Sequence, residues 1–448
     1  MSKQHIVEVR MAVRSFLLGT CVSVLAVAAT NPAPPTFYKN VLPIMQNHCQ
    51  ECHRPGEAAP MSFMTYEGVR PWAKAIREAV ITSKMPPWPA DPHYGKFSND
   101  RSLSRAEIDT LVAWVDTGAR EGDPSEGPKA AQFVDGWDIH KPDAVFEMPN
   151  EFAVPASGTL EYQYIVIPSG FTEDKWVQES EARPGNRRVV HHIIAFIRPP
   201  GSKWMQDAKP GIPFVPVKEE KDKRKHRKDD DSGPPPELLV GFAPGLPPGI
   251  LRPGQAKLVK AGSDFVFQMH YTANGKAGTD RSRIGLVFAK EQPKERVYTV
   301  AATNDKFAIP AGDPNFEVES DVTLQEPALL VDMMPHMHLR GKDFVYTAFY
   351  PTGESEVLLR VPKYDFSWQL FYYLSDQKVL PAGTRIHCVA HFDNSPNNPA
   401  NPDATKEVHW GDQSWEEMMI GWFDVAIAPD KDPMDVFKEK KHAKNAAD

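Results

Sequence analysis

The sequence predicts a multidomain protein in which a small all-α domain is followed by two all-β antiparallel sandwiches. Its 448 residues exceed what one ordinary hydrophobic core supports. Helical periodicity is confined to the segment from about 37 to 122, whereas from about 137 onward short β-rich runs alternate with Pro, Gly, Asn and Asp. The net charge of -8 provides no polycationic surface for phosphate backbones, so no nucleic-acid partner is expected.

Residues 1–29 are predicted to be a signal peptide. Arg10 and Arg14 precede the apolar run 16–28, which ends in a small-residue cleavage pattern. The run is short for a membrane span, so an uncleaved anchor is the alternative, and a lipoprotein site at Cys21 has only weak support. No later stretch is long and apolar enough to cross a bilayer. We therefore expect a periplasmic or secreted bacterial protein that is soluble once the signal peptide is removed.

The all-α domain is assigned to residues 30–127. Ser104 and Glu107 form a capping box, and apolar residues at helical spacing follow until Gly118 ends the pattern. A second amphipathic stretch covers about 71–85, before two consecutive prolines.

The β region is assigned to two sandwiches, 128–290 and 291–430. Its clearest strand-like runs are 162–167, 189–197, 265–271, 344–350, 386–392 and 418–427. The charged stretch 218–231 cannot bury apolar area, so it is predicted to be a surface insertion, with a docking patch as the alternative. Residues 431–448 are predicted to be a flexible tail.

The helical domain carries the C-x-x-C-H pattern of c-type haem attachment. Cys49 and Cys52 would bond the porphyrin, and His53 would then lie against the iron. A thioredoxin-like redox motif would require a βαβ pattern, which the surrounding sequence lacks. The sequence therefore predicts one covalently bound c-type haem.

The sixth haem ligand is predicted to be Met85. It stands between a helix and two prolines, which favour an extended loop that can present a thioether. This stretch, together with the terminal helix, resembles class I cytochrome c domains. Met61, Met64 and His93 are the alternatives, with Met85 then serving only in core packing.

Five histidines of the β region occur in three clusters on predicted strands: His191-His192, His270 and His336-x-His338. Because side chains alternate along a strand, His336 and His338 share one face about 7 Å apart, which suits one metal ion. The neighbouring pair His191-His192 would diverge unless a bulge or twist intervenes. Each histidine alone is more simply a core or loop residue, but the clusters together favour ligation.

Further donors point to copper. Gln268 shares a strand face with His270, and Met418 adds a thioether at the start of a later strand. Imidazole with thioether, and without a thiolate set, favours copper over zinc. Three other histidines are interpreted as structural or surface groups, with support of a metal ligand as the alternative: His387, His391 and His409.

A His-His pair, a Gln-x-His-Tyr, a His-x-His and a Glu-Met strand follow one another within about 137–430. This order resembles the copper type II ascorbate-dependent monooxygenases, such as peptidylglycine α-hydroxylating monooxygenase and dopamine β-monooxygenase. The resemblance implies two jelly-roll-like sandwiches and two copper ions. The copper that stores and passes an electron would be bound by His191, His192 and His270. The copper at which dioxygen and substrate meet would be bound by His336, His338 and Met418. Gln268 would support the first site by hydrogen bonding.

The chain also departs from that family. Where peptide-amidating members hold a substrate carboxylate, it has Met334, Ile420 and Trp422, so a peptide C-terminus is not the expected substrate. With four cysteines it cannot form the disulfides of the animal enzymes, and it adds a haem domain.

The expected function is hydroxylation of an aliphatic or benzylic C–H bond of a small organic substrate with dioxygen. Electrons would enter through the haem, supplied by a redox partner protein or by ascorbate. The alternative is a non-catalytic electron-transfer or copper-binding protein on the same scaffold. A third interpretation is a cytochrome with a purely structural β partner.

Overall fold

The computed structural model of the chain describes residues 33–57, 59–133, 136–216 and 236–437. The predicted signal peptide, with Cys21, and the charged insertion 218–231 lie outside the described residues. From Pro35 onward the described residues belong to one compact unit. None of the described helices is both long and apolar enough to cross a membrane.

The helices are short, and most precede the β region. The described α-helices are α1 (Leu42–His48), α2 (Tyr66–Val69), α3 (Ala73–Ile81), α4 (Arg105–Asp116) and α5 (Pro433–Phe437). A π-helical turn, Phe37–Val41, leads into α1. The predicted capping box begins α4, because Ser104 Oγ accepts from Glu107 N and the Glu107 carboxylate accepts from Ser104 N. Trp114 of α4 is fully buried in the apolar cluster that these first helices enclose.

Strands make up most of the described chain. Those before residue 290 are β1 (Ala144–Glu147), β2 (Phe152–Val154), β3 (Gln163–Pro168), β4 (Lys175–Arg183), β5 (Val190–Arg198), β6 (Glu237–Phe242), β7 (Gly249–Ile250), β8 (Gln255–Val259), β9 (Asp264–Tyr271), β10 (Gly278–Asp280) and β11 (Arg283–Phe288). Those after it are β12 (Glu295–Thr303), β13 (Ala308–Ile309), β14 (Phe316–Thr323), β15 (Ala328–His336), β16 (Gly341–Phe349), β17 (Ser355–Val361), β18 (Tyr372–Leu380), β19 (Arg385–Phe392), β20 (Val408–His409) and β21 (Ile420–Ile427).

These strands form two packed sandwiches joined by one shared sheet. The shared sheet has the order β1-β11-β4-β8-β12-β21-β15-β18, and it is continuous because β8 and β12 pair in parallel. The sheet β3-β9-β5-β6 packs on its first half, and β14-β19-β16-β17 packs on its second half, each over its own apolar core. The structure thus confirms that the chain is mostly β-sandwich with a few short helices.

The long connection between α3 and α4 leaves the helical cluster and packs on the second sandwich. Trp88 and Phe97 lie 5.0 and 5.5 Å, ring centroid to centroid, from Tyr372 of β18. Ser98 N also donates to the carbonyl oxygen of Tyr373. Part of the predicted all-α segment therefore covers a sheet edge instead of closing a helical core.

The chain end also differs from the expected flexible tail. Helix α5 packs against the second sandwich, with Val436 buried in its core and the Val436 carbonyl accepting from Gln325 N. Pro433 and Val436, which lie one turn apart on α5, are the residues that this short helix buries. Residues 438–448 lie outside the described part of the chain.

A buried ion pair at the sandwich junction predicts a pH-dependent stability. Burial raises the pKa of Glu237 to about 7, against the opposing effect of Arg296. Folding therefore favours the neutral form of the Glu237 carboxyl. The stability that this form contributes to the folded protein is fully present below pH ~4.5 and is lost as the pH rises from there through about 7. This loss amounts to about 3 kcal/mol.

We expect Glu237→Gln to match the wild type near pH 4.5 and to exceed its unfolding free energy near pH 8, measured by urea titration. The exposed control Glu291→Gln should follow the wild-type curve; parallel curves for wild type and Glu237→Gln would contradict the prediction.

Candidate metal centres

His191, His192 and His270, the three-histidine group, lie side by side on β5 and β9. The register pairs His192 with His270 and shifts between Val190 and His192. This irregularity supplies the local distortion that two adjacent histidines need to reach one point. One nitrogen from each ring lies within 4.8 Å of the other two. Nitrogens around a single ion with bonds of about 2 Å lie at most about 4 Å apart, so a small ring movement would bring all three onto one ion.

The ring nitrogens of this group support ligation. His192 Nε2 and His270 Nδ1 are buried and have no hydrogen-bond partner among the described residues. An unpaired buried nitrogen is costly, and a metal ion removes that cost by accepting the lone pair.

His336 and His338, the two-histidine group, end β15 and enter the following turn. Their ring centroids lie 5.2 Å apart with the planes at 88°. His336 Nδ1 donates to Gln369 Oε1 at 2.7 Å, and His338 Nδ1 donates to the Glu416 carbonyl at 3.3 Å. Because these oxygens can only accept, both rings carry the proton on Nδ1 and keep the Nε2 lone pair for a metal. His338 Nε2 is buried without a described partner.

Met418 lies two residues before β21, the strand that pairs with the end of β15. Ile420 of β21 pairs with His336, so the antiparallel ladder, if continued, sets Met418 opposite His338. Glu417, which is fully buried, accepts from His338 N at 2.9 Å and from Arg340 N at 2.7 Å. The segment before β21 is thereby attached to the turn that carries His338.

Burial keeps all five imidazoles neutral near pH 7. It lowers the pKa of His270 to about 3 and that of His336 to about 4. Burial also lowers the pKa of His191. It lowers the pKa values of His192 and His338 well below the ordinary value, and neighbouring imidazoles add to that effect. Neutral imidazoles are the form that binds metals, so the donor set fits copper without a protonation penalty.

One aromatic ring contacts members of both groups. The Phe366 centroid lies 5.7 Å from that of His191, 6.3 Å from that of His270 and 5.8 Å from that of His338. The segment 364–369 contacts the two-histidine group at two further points. Gln369 accepts from His336, and the Tyr364 hydroxyl accepts from the N–H of Met337 and donates to its carbonyl, between the two histidines. The two candidate metal centres are therefore neighbours that share the Phe366 ring as a contact.

Sequence reasoning did not identify four of these supporting residues: Tyr162, Tyr364, Phe366 and Gln369. Tyr162 lies with its ring 4.8 Å from that of His270, and its backbone N–H donates to Gln413 of the segment before β21. Tyr364, Phe366 and Gln369 stand in a segment without helical or strand periodicity, whereas Tyr162 begins the predicted strand run 162–167. The aromatic and amide side chains of Tyr364, Phe366 and Gln369, within a loop that contains Pro and Asp, are the sequence feature that could have indicated their role.

Two other expectations concern side chains near the groups. Gln268 Nε2 donates to Tyr164 Oη at 2.6 Å, so its support of the three-histidine group stays a prediction. The three further β-region histidines of the sequence analysis pair with carboxylates, as structural or surface groups do: His387 with Asp321, His391 with Asp343 and His409 with Glu407.

The haem-attachment motif forms a tight turn after α1. His53 N donates to the Cys49 carbonyl at 2.9 Å, so the motif follows a helical turn. His53 Nδ1 donates to the Met61 carbonyl at 3.3 Å, which leaves its Nε2 lone pair for an iron, and its ring stacks on Phe63 at 4.2 Å. Cys49 and Cys52 are free thiols, and burial raises the pKa of Cys49 to about 12. The donor arrangement fits a c-type haem.

The candidate sixth haem ligands differ in their burial. Met85 is half-buried, and its backbone N–H donates to the Ala79 carbonyl at the end of α3. Met64 is half-buried as well, whereas His93 is exposed and paired with Asp91. The choice of Met85 stays a prediction.

Loss of the Glu417 carboxylate is expected to destabilise the protein. Glu417→Ala would leave the buried N–H groups of His338 and Arg340 unpaired, which should cost about 3 to 5 kcal/mol. We expect a lower urea midpoint and weaker copper binding at the two-histidine group, with a smaller change for Glu417→Gln, which keeps one acceptor oxygen. An unchanged midpoint, equal to that of the exposed control Glu354→Ala, would contradict this role.

No protein-family model matches the chain, and no curated protein matches it significantly. Among solved structures, it is similar to the infectious bursal disease virus VP2 subviral particle at 10% identity, with 70% of this chain and 77% of that chain covered and a TM-score of 0.19. It is similar to PNGF-II at 10% identity, with 63% of this chain and 60% of that chain covered and a TM-score of 0.22. TM-scores this low support no inference about fold or function.

Proposed function

We propose that the chain is a periplasmic copper- and haem-containing monooxygenase that hydroxylates a C–H bond of a small organic molecule. The observation that carries this proposal is the pair of neutral imidazole groups that both contact Phe366, each with a buried ring nitrogen that has no hydrogen-bond partner among the described residues. The sandwiches are proposed to be jelly-roll-like and the helical segment cytochrome c-like. Export and removal of residues 1–29 belong to the same proposal.

The reaction consumes substrate, dioxygen, two electrons and two protons, and yields the alcohol and water. Copper bound at the two groups would supply the one-electron chemistry and the activation of dioxygen. The chain's own residues fix the ligands: Gln369 and the Glu416 carbonyl orient His336 and His338, and Glu417 holds the intervening turn.

Apolar residues beside the groups would exclude water from the reaction. Met334 and Phe371 are buried in a cluster between the sandwiches, and Met334 pairs across the ladder with Trp422. An apolar boundary strengthens electrostatic interactions at the site and suits a substrate without a carboxylate.

One observation favours the non-catalytic electron-transfer alternative. Phe366 packs against both groups, and the cavity beside His192, Met334 and Gln369 measures only about 20 Å³. A substrate would have to displace the 364–369 segment, whereas electron transfer would not.

Metal and haem quantitation with electron paramagnetic resonance tests the proposal. Protein produced with periplasmic export should contain two coppers of distinct ligation and one haem per chain. Absence of stoichiometric copper would overturn it and favour a cytochrome with a structural β partner. Oxygen uptake coupled to product formation then separates the oxygenase from the electron-transfer alternative.

A further inference from the structure

The haem-attachment turn faces the first sandwich across a cavity of about 270 Å³. Cys52 lines this cavity from the helical side, and Gly241, Phe242 and Ala243 line it from the other, at the end of β6. A porphyrin bonded to Cys52 would have its attached edge at this cavity, because the thioether bond joins sulfur directly to a substituent of the ring.

The same short segment borders the three-histidine group on its other side. Phe242 pairs with Ile193 of β5, so continuation of the register sets Ala243 beside His192. The small cavity that His192 lines is also lined by Gly241 and Ala243. Gly241 and Ala243 therefore line both the cavity beside Cys52 and the cavity beside His192. No residue of the two-histidine group lines the larger cavity within the described chain.

An ion pair and a ring contact hold the two sides together. Arg187 Nη1 lies 2.6 Å from Glu57 Oε2, and its guanidinium lies 5.2 Å from the centroid of the Phe242 ring. Arg54 binds the other oxygen of Glu57. Both Arg187 and Glu57 are about four-fifths buried, so the contact is only partly screened by solvent. Because Arg187 precedes His191 by four residues, it connects the haem turn to the strand that carries the histidines.

We infer that electrons from the attached haem enter at the three-histidine group, across residues 241–243, and that Arg187 positions this contact. The inference rests on the proposed function. With haem bound through Cys49, Cys52 and His53 and copper bound by His191, His192 and His270, one electron would pass from ferrous iron, which becomes ferric, to Cu(II), which becomes Cu(I). No proton or other atom is transferred, and an external one-electron donor reduces the haem again before the second electron is required.

Pulse radiolysis of the full, copper- and haem-loaded protein tests the route. An electron injected at the haem should leave it at a rate independent of protein concentration, seen as decay of the reduced-haem absorption and loss of the Cu(II) resonance of the three-histidine group. His270→Ala should abolish this decay, and the double variant His336→Ala, His338→Ala should retain it. The reverse pattern overturns the inference while leaving the proposed function intact, whereas failure to bind copper or haem overturns both.

Matched variants test the role of Arg187. Arg187→Met should slow the decay at least tenfold with unchanged haem and copper spectra, and Arg188→Met, at the exposed neighbouring position, should not. Glu57→Gln removes the same ion pair from the helical side and should reproduce the effect, while Arg187→Lys should restore part of the rate. Equal rates for Arg187→Met, Glu57→Gln and Arg188→Met would overturn the positioning role.

Discussion

Replacement of His270 by alanine is expected to reduce bound copper from two ions to one per chain and to abolish hydroxylation. The variant loses one of three imidazoles whose nitrogens lie within 4.8 Å of one another, and two imidazoles bind copper much more weakly. Copper at about 100 times its dissociation constant stabilises each occupied site by about 2.7 kcal/mol. The rise in unfolding temperature on copper addition should therefore be smaller in the variant, and elemental analysis should give the lower stoichiometry.

His409→Ala is the matched control for this experiment. His409 is half-exposed and paired with Glu407, outside both groups. It should keep both coppers and the full thermal shift. If His270→Ala retained two coppers and the wild-type shift, the three-histidine group would not be a metal centre.

Replacement of Met418 by alanine is expected to leave the three-histidine group intact and to suppress the reaction. Loss of a residue that merely supports a metal ligand costs about 10- to 100-fold, so loss of a direct thioether ligand should lower product-coupled oxygen uptake at least about 100-fold. The resonance of the copper at the two-histidine group should change, while that of the other copper should not.

Met434→Ala controls for the loss of a half-buried thioether elsewhere. Met434 lies in α5, outside both histidine groups, and is half-buried. Its variant should oxidise substrate at the wild-type rate. Equal oxygen uptake and hydroxylation by Met418→Ala and wild type would show that Met418 is not part of the reaction centre, and the non-catalytic alternative would then gain support.

Local patterns in the sequence were sufficient to predict several features of the metal groups. The alternation of side chains along a strand predicted that His336 and His338 share a face, and the structure has their rings 5.2 Å apart. The adjacency of His191 and His192 required a local distortion, and the register shift after Val190 provides it. These features depend on residues within a few positions of one another, so backbone geometry alone predicts them.

The surroundings of the groups could not be predicted in this way. Phe366 contacts His191 across 175 positions of chain and His338 across 28, and neither contact leaves a periodic trace in the sequence. The parallel pairing of β8 with β12, which makes one sheet of two sandwiches, depends on how the intervening strands pack. The packing of Trp88 and Phe97 on Tyr372 has the same origin.

The sequence by itself determined the mostly β architecture, the helical start with its C-x-x-C-H turn, and which histidines alternate onto a common face. These follow from hydrophobic period, capping residues and strand geometry, which act over short stretches. Only the tertiary structure decided that the two histidine groups contact one aromatic ring and that Gly241 and Ala243 line both the cavity beside Cys52 and the cavity beside His192. Such contacts join segments far apart in the chain, and they form because burying each apolar face admits few arrangements of the whole.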